Sequence, residues 1–312
     1  MNSNYQHFRI DESLTDRVTI WIDVKEKSAN VLYEPVFDEL LRIIEAASER
    51  QSKLPLVFRS AKVHSFVVGA DLRRLLSLST DAQVQQFLWH GQVVFNRLEQ
   101  FNGGSVAVIQ GACLGGGLEW ALACKFRFAV DVPSTQLGMP EAKLGLIPGW
   151  GGTQRLIQVV GVTEGVFMLL AGEAVNAERA LSMHLVDALA EQSRLEEKLT
   201  SFLGQINREA LAAGSAHPVN CQALAAGGAG AVKLNSADVL AKAERVLDGF
   251  GALTPAQSAI YRAAVLGISH SLEAGLRAER ELFHALLISR TTQANLERFI
   301  NRTKPKLSTG ES

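Results

Sequence analysis

Two glycine-rich segments of the chain each carry a glutamate in a setting that favours acid–base chemistry. The first, 109–119 (IQGACLGGGLE), reads as an apolar strand that leads through three successive glycines into a helix. Amides at the N-terminus of a helix point outward and favour negative charge, so this turn suits a developing oxyanion. Glu119 lies in the first turn of the predicted helix. The spacing fits a structural role equally well, in which the glycines allow close packing and Glu119 complements the helix dipole.

The second segment, 137–156 (LGMPEAKLGLIPGWGGTQRL), places Glu141 in a predicted loop that is rigid at its prolines and open at its glycines. A carboxyl group among so many apolar residues is expected to be partly desolvated, which raises its pKa towards neutrality. A structural interpretation is open here as well, because Glu141 could form an ion pair with Lys143 or Arg155.

Other common catalytic and ligand-binding motifs are absent from the sequence. No G-x-x-x-x-G-K-[ST] is present, and the glycines at 115–117 do not extend to G-x-G-x-x-G, because Trp120 occupies the last position. These absences argue against a phosphate-binding loop and a dinucleotide site. None of the seven histidines belongs to an H-E-x-x-H motif, so no metal site is predicted. We interpret His64 and His184 as structural or exposed.

Alternating strands and helices are predicted to position both segments. The predicted strands are 18–24, 55–59, 105–110 and 125–131, and the predicted helices include 81–101, 116–123 and 163–171. Short, largely apolar strands that alternate with helices are typical of a buried, largely parallel sheet. We therefore predict an α/β core over residues 1–195, which contains the site.

From about residue 196 strand signals fade, and 196–312 is predicted to be a helical region that covers the core and forms oligomer contacts. Alanine is dense over 209–232, and 223–231 is predicted to be a loop. Five apolar residues then recur at i+4 spacing: Ile260, Ala264, Ile268, Leu272 and Leu276. This stripe has no evident partner of similar length in the C-terminal region. We expect it to be buried on the core of the same chain or of a neighbouring one; a stripe that covers only its own core would leave a monomer.

Composition limits the class of protein and its partners. The chain has 312 residues, a mass of 33.8 kDa, 47% hydrophobic residues and a net charge of -1. A near-neutral chain has no general electrostatic attraction to nucleic acid or anionic membranes. The apolar stretch 106–124 contains Glu119 and four glycines, and we interpret it as strand, turn and helix rather than a membrane span. Three cysteines outside any C-x-x-C pair and a polar N-terminus predict a reducing, cytoplasmic location.

The sequence resembles the enoyl-CoA hydratase/isomerase (crotonase) family in three segments. G-x-x-L-G-G-G-x-E lies at 111–119, and P-E-x-x-L-G-L-I-P-G-x-G-G-T-Q-R-L lies at 140–156. The segment 65–72 (SFVVGADL) is similar to the family's F-x-A-G-A-D-[LI], with Val68 where alanine is usual. The longer C-terminal part looks somewhat like the hydratase part of multifunctional fatty-acid oxidation α-subunits. This resemblance implies a ββα spiral core with a C-terminal helical extension.

The resemblance also implies roles for individual residues. The family's oxyanion hole falls on the backbone N–H groups of Ala70 and Gly116, and its two catalytic carboxylates fall on Glu119 and Glu141. Glu119 is then expected to orient water and Glu141 to give a proton to C2 of the substrate. A β-branched residue at Gly116 should strain the turn and block the amides. Substrate or coenzyme A contacts are expected at Val68, Gly69, Asp71, Gly115 and Gly149.

The activity that the resemblance implies is hydration of a 2-enoyl-CoA in fatty-acid β-oxidation, by a homotrimer or a dimer of trimers. No metal and no separate cofactor are expected, because coenzyme A is part of the substrate. Two alternatives stay open. One is Δ3-Δ2 enoyl-CoA isomerisation or another reaction of the family, for which a Glu141-type residue alone can suffice. The other is an acyl-CoA-binding protein that keeps the fold without catalysis.

Overall fold

The computed structural model describes residues 5–50, 53–212 and 237–302, with the side chains of 207–212 excepted. The loop predicted at 223–231 lies outside these residues. Ten strands are described: β1 Phe8–Asp11, β2 Val18–Ile22, β3 Leu56–Ser60, β4 Ser65–Val67, β5 Ser105–Ile109, β6 Ala112–Leu114, β7 Phe126–Asp131, β8 Gln136–Gly138, β9 Ala174–Asn176 and β10 Ala188–Glu191.

The helices begin after β2 and dominate the C-terminal part. In the described ranges they are α1 Glu34–Glu49, α2 Leu72–Leu76, α3 Asp81–Glu99, α4 Gly116–Ala123, α5 Glu141–Leu144, α6 Gly152–Val160, α7 Val162–Ala171, α8 Ala177–Ser182, α9 Leu195–Ala212, α10 Ala237–Leu247, α11 Pro255–Ser269, α12 Leu272–Leu287 and α13 Arg290–Arg302. A short 3-10 helix, Gln192–Arg194, precedes α9. None of these helices combines the length and the apolar character that crossing a bilayer requires.

The larger sheet has six strands in the order β1-β2-β3-β5-β7-β10, all parallel except the antiparallel edge strand β1. Its central strands are buried on both faces. In β5, Val106 and Val108 face a cluster that α9 completes, whereas Ala107 and Ile109 belong to the main core. A strand buried on both sides reads as a continuous apolar run. The predicted α/β class with a largely parallel sheet is confirmed.

The smaller sheet, β4-β6-β8-β9, positions the two glycine-rich segments. Strands β4, β6 and β8 are parallel neighbours, so their carboxyl ends lie at one edge. The chain leaves β4 towards Ala70, leaves β6 into α4 with Glu119, and leaves β8 into α5 with Glu141. Sequence patterns did not predict this sheet, because strands of three residues are too short to show a period.

The C-terminal helices cover the core of their own chain. Helices α11 and α12 pack against each other, α11 also packs on α6 and α7, and α12 packs on α3 and α6. The apolar stripe is divided between these two helices at the break after Ser269. Ile260, Ala264, Ile268 and Leu276 are buried, and Leu272 is half-buried. The prediction that the stripe lacks a partner within the C-terminal region is therefore wrong, and its burial needs no second chain.

Candidate active site

A cavity of about 860 Å³ opens at the carboxyl edge of the smaller sheet. Its wall includes every residue that the sequence analysis selected. These residues are Val68, Gly69, Ala70, Asp71, Gly115, Gly116, Glu119, Glu141 and Gly149. Apolar side chains from α3 and α12, among them Phe87, Leu88 and Phe283, form another part of the wall. Lys27, Arg298 and Arg302 also line it. The cavity can therefore hold an apolar chain beside a group that carries negative charge.

The turn between β6 and α4 presents the amide of Gly116 to the cavity. Gly115 has φ +52°, and its own N–H donates to the Gly138 carbonyl at 2.8 Å. Gly116 begins α4, so its N–H has no acceptor within the helix. A β-carbon at Gly116 would lie 2.3 Å from the buried Trp150 ring. Glycine is required at 116 because that ring lies so close, and not because the residue has an unusual φ. The backbone strain predicted for position 116 lies at Gly115 instead.

Ala70 supplies a second amide beside the first. Leu32 donates its N–H to the Gly69 carbonyl at 2.9 Å and accepts from the Asp71 N–H at 2.9 Å. In such a parallel bridge the amide of the intervening residue, Ala70, points to the opposite side. A β-carbon built on Gly69 would lie 3.6 Å from the Gly116 nitrogen, which shows how close the two segments are. Among the described residues, neither the Ala70 nor the Gly116 N–H has an acceptor.

Glu119 is 1% exposed, and backbone amides from the second glycine-rich segment hold its carboxylate. Its Oε1 accepts hydrogen bonds from the N–H groups of Trp150 and Gly152, both at 2.7 Å. Burial raises the pKa of Glu119 to about 7, although these amides and the Arg155 guanidinium act in the opposite direction. Glu119 thus complements the N-terminus of α6 and not only that of its own helix.

Glu141 lies at the start of α5, and its Oε2 is buried without a hydrogen-bond donor among the described residues. Burial of the carboxyl group, and then the negative charge of Glu119, raise the pKa of Glu141 to about 8. The two ion-pair partners considered in the sequence are occupied elsewhere. Lys143 pairs with Glu173 at 2.5 Å and Arg155 with Glu99 at 2.9 Å. The structural interpretation of Glu141 as half of a local ion pair is therefore wrong.

A third buried glutamate, Glu279 of α12, adjoins the site without lining the cavity. Its carboxylate accepts from the Gly151 N–H at 2.7 Å, and from the Thr153 N–H and hydroxyl at 3.1 and 2.6 Å. Burial, and then the charge of Glu119, raise the pKa of Glu279 to about 8. The sequence analysis missed it. The available signal was a charged residue between Leu276 and Phe283 on the apolar face of an amphipathic helix.

Two of the other predicted contact residues have additional structural roles. The Asp71 carboxylate caps α2 by accepting from the Arg73 and Arg74 amides, and it pairs with Lys27 at 2.7 Å. The carbonyl of Gly149 accepts from Gln92 Nε2 at 2.9 Å.

Chemically, the site combines two unsatisfied amides, which favour a developing oxyanion, with two carboxyl groups whose pKa values lie near neutrality.

Comparison with known proteins identifies the family of this chain. A sequence model described as Enoyl-CoA hydratase/isomerase matches residues 18–223. The chain belongs to this family. The family that the sequence motifs indicated is thereby confirmed. The match includes the residues around Ala70 and both glycine-rich segments.

Solved structures of other proteins share the fold. The enoyl-CoA hydratase from Bacillus halodurans superimposes with a TM-score of 0.67 and covers 94% of this chain and 99% of its own, at 22% identity. DspI of Pseudomonas aeruginosa is 29% identical, covers 65% of this chain and 81% of its own, and gives a TM-score of 0.59. The predicted crotonase-like core with C-terminal helices is confirmed.

Among curated proteins, the chain is similar to the fatty acid oxidation complex subunit alpha of Shewanella sp. (strain ANA-3). The two are 35% identical over 295 residues, which are 93% of this chain and 40% of the Shewanella protein. The protein of the same name from Idiomarina loihiensis is 42% identical over 176 residues, 56% of this chain and 25% of its own. The chain thus spans well under half the length of these relatives.

Proposed function

We propose that this chain hydrates a 2-enoyl-CoA to a 3-hydroxyacyl-CoA. The observation that carries the proposal is that Glu119, Glu141 and the free amides of Ala70 and Gly116 line one cavity. In the proposed reaction the amides bind the thioester oxygen and stabilise the enolate that forms on it. Loss of one such donor typically costs about 3–4 kcal/mol.

The two glutamates divide the proton transfers between them. Glu119, with Oε1 held by two amides, uses its other oxygen to orient a water molecule and takes a proton as the hydroxyl adds to C3. Glu141, kept protonated by its raised pKa, gives a proton to C2 of the enolate. One water is added across the double bond, and transfer of one proton from Glu119 to Glu141 then returns both carboxyl groups to their starting states. No metal or separate cofactor takes part in the proposed reaction.

Glu119 favours hydration over isomerisation. Isomerisation of a 3-enoyl-CoA needs one proton carrier, whereas hydration needs a second group that holds water. A buried Glu119 with a pKa near 7 is suited to that second role. The proposed setting is fatty-acid β-oxidation, which rests on similarity to the fatty acid oxidation complex subunits. A cytoplasmic location stays a prediction.

The test is a parallel assay of the purified chain with 2-enoyl-CoA and 3-enoyl-CoA of several acyl lengths. Loss of the conjugated enoyl absorbance and formation of 3-hydroxyacyl-CoA are expected. Conversion of 3-enoyl to 2-enoyl substrate without water addition would assign isomerisation instead. Acyl-CoA binding without turnover of either substrate would assign a non-catalytic role.

The proposed quaternary structure is a trimer or a pair of trimers, as the resemblance implies. Sedimentation of the intact chain tests it directly. A single species at 33.8 kDa over micromolar concentrations would contradict the trimer and leave the catalytic proposal unchanged.

A further inference from the structure

Four consecutive backbone amides, 150–153, are divided alternately between two carboxylates. The Trp150 and Gly152 N–H groups donate to Oε1 of Glu119. Those of Gly151 and Thr153 donate to Oε2 and Oε1 of Glu279. The two glutamates come from α4 and α12, which are far apart in the sequence, and meet at the N-terminus of α6. Neither carboxylate can move without leaving buried amides unsatisfied.

The segment that these carboxylates hold would be adjustable without them. Gly151 has φ +101°, in the left-handed region, and Gly152 follows it, so the two glycines permit several orientations of their peptide planes. The Glu279 carboxylate accepts hydrogen bonds from the N–H groups of Gly151 and Thr153. It thereby fixes the peptide planes on either side of the Gly152 amide. The direction of the Gly152 N–H, and with it the position of Glu119 Oε1, is thereby determined.

Glu279 is itself held from several directions. The Thr153 hydroxyl donates to Oε1 at 2.6 Å, and Gln92 Nε2 approaches Oε2 at 3.4 Å. Gln92 comes from α3, and its Nε2 also donates to the Leu276 and Gly149 carbonyls at 3.0 and 2.9 Å. Arg280 donates to Gln92 Oε1 and so orients this amide group. Helix α12 therefore carries a rigid carboxylate to the glycine segment.

We propose that Glu279 is a positioning residue for Glu119, which it orients through the alternating amides of 150–153 so that one oxygen of Glu119 is left for water. The inference rests on the proposed function. The charged groups that face Glu279 are Glu119 of α4, Glu141 of α5 and the neighbouring Arg280, while Arg155 of α6 acts on Glu119. Because Glu279 lies behind the cavity wall, it acts through Glu119 rather than on the substrate.

The first test replaces Glu279 by glutamine, which keeps the shape but turns an NH₂ group towards amide donors. We expect kcat for 2-butenoyl-CoA to fall at least about 10-fold while KM changes less than about threefold, since binding groups are untouched. Glu39→Gln is the matched control. Glu39 is also buried and accepts two backbone amides, from Gln6 and His7, but it does not line the cavity. Its kcat should stay within about twofold of the wild type, even if the melting temperature falls.

A double-mutant cycle separates positioning from a general structural effect. In a Glu119→Gln background, Glu279→Gln should lower the residual kcat by less than about twofold, because the group it orients is already gone. An equal further loss in both backgrounds, or an unchanged kcat in Glu279→Gln alone, would overturn the inference. If Glu279→Gln does not fold, Thr153→Val serves instead. It removes the hydroxyl that donates to Glu279 Oε1 and accepts from Gln154 Nε2, and a smaller loss of kcat with the same non-additivity is expected.

The same set of variants keeps the two proposals apart. An active wild type with an inactive Glu119→Gln and an unaffected Glu279→Gln would reject the inference alone. A Glu119→Gln protein with full turnover would reject the proposed use of Glu119 in hydration, and the role of Glu279 with it.

Discussion

The Glu141 carboxylate lies directly against the backbone of Gly115. A β-carbon built at position 115 would lie 2.4 Å from Glu141 Oε1, and the φ of Gly115 is +52°. A side chain there would strain the backbone and displace the Glu141 carboxylate. The turn that presents the Gly116 amide is also the surface on which Glu141 rests, so amide donor and carboxyl group are positioned together.

Gly115→Ala should reduce activity more than it reduces stability. The left-handed φ costs about 1–2 kcal/mol for a residue with a β-carbon. The added methyl group also displaces the Glu141 carboxylate, and we expect turnover to fall at least about 10-fold. Gly161→Ala is the matched control, because Gly161 has φ +85° and, its two chain neighbours apart, no atom of the described residues lies within 4 Å of its β-carbon position. That variant should lose similar stability, measured by denaturant unfolding, and keep its turnover. Equal activity in the two variants would contradict the assigned position of Glu141.

Glu119→Gln and Glu141→Gln should each lower hydration turnover by at least about 100-fold, the low end of typical acid–base contributions. Both substitutions keep the shape of the side chain, so acyl-CoA should still bind. Steady-state rates and calorimetric titration with an unreactive saturated acyl-CoA give the two quantities separately. A variant with near-normal turnover would remove its residue from the mechanism.

The pH dependence of kcat/KM should be bell-shaped. Glu119 must be ionised to take a proton from water, and its pKa of about 7 sets the acid limb. Glu141 must be protonated to give one, and its pKa of about 8 sets the alkaline limb. The carboxyl groups of Glu119, Glu141 and Glu279 influence one another's ionisation, so the position of each limb on the pH axis depends on all three. Since the charge of Glu279 raises the pKa of Glu141, Glu279→Gln should move the alkaline limb to lower pH. A profile that is flat across this range would exclude the assignment.

Glu141→Gln should stabilise the fold increasingly as the pH rises. The pKa of Glu141 is about 8 in the folded chain and near the ordinary glutamate value of 4.5 when unfolded. Between these values the unfolded state releases the proton and the folded state keeps it, so the wild type loses stability with rising pH. Glutamine does not titrate. The stability difference between variant and wild type should therefore grow by about 3 kcal/mol from about pH 5.5 to pH 9. Urea unfolding at the two pH values measures it, and a constant difference would refute the raised pKa.

The residues selected from the sequence line one cavity, and the sequence could indicate them because they lie in continuous segments with strong backbone requirements. Glu119 and Glu141 are each fixed by nearby glycines, and the short parallel strands bring the two segments to one edge. The position of the backbone strain was not predictable. Three consecutive glycines look alike in sequence, and only the fold distinguishes Gly115, with its positive φ, from Gly116, which faces the Trp150 ring.

Sequence patterns could not predict the contacts between distant segments. Leu272 and Leu276 were predicted to lie on one apolar stripe, but a period does not say which element covers it. Helix α12 packs against its neighbour α11 and against α3 and α6, and only the three-dimensional structure shows this. The sequence analysis did not select Glu279, because a charged residue within an apolar stripe interrupts the pattern and indicates no particular function.

The origin of Glu279 in α12 has a consequence for the newly synthesised chain. The ribosome releases Glu119 and Glu141 well before Glu279, since chains emerge from the N-terminal end. During that interval the amides of Gly151 and Thr153 have only water as acceptors. Both sheets can assemble first, but an ordered catalytic pair has to wait until the C-terminal helices dock. Onset of turnover during translation would therefore mark the completion of folding, and a chain cut short before α12 would be an inactive intermediate rather than a smaller enzyme.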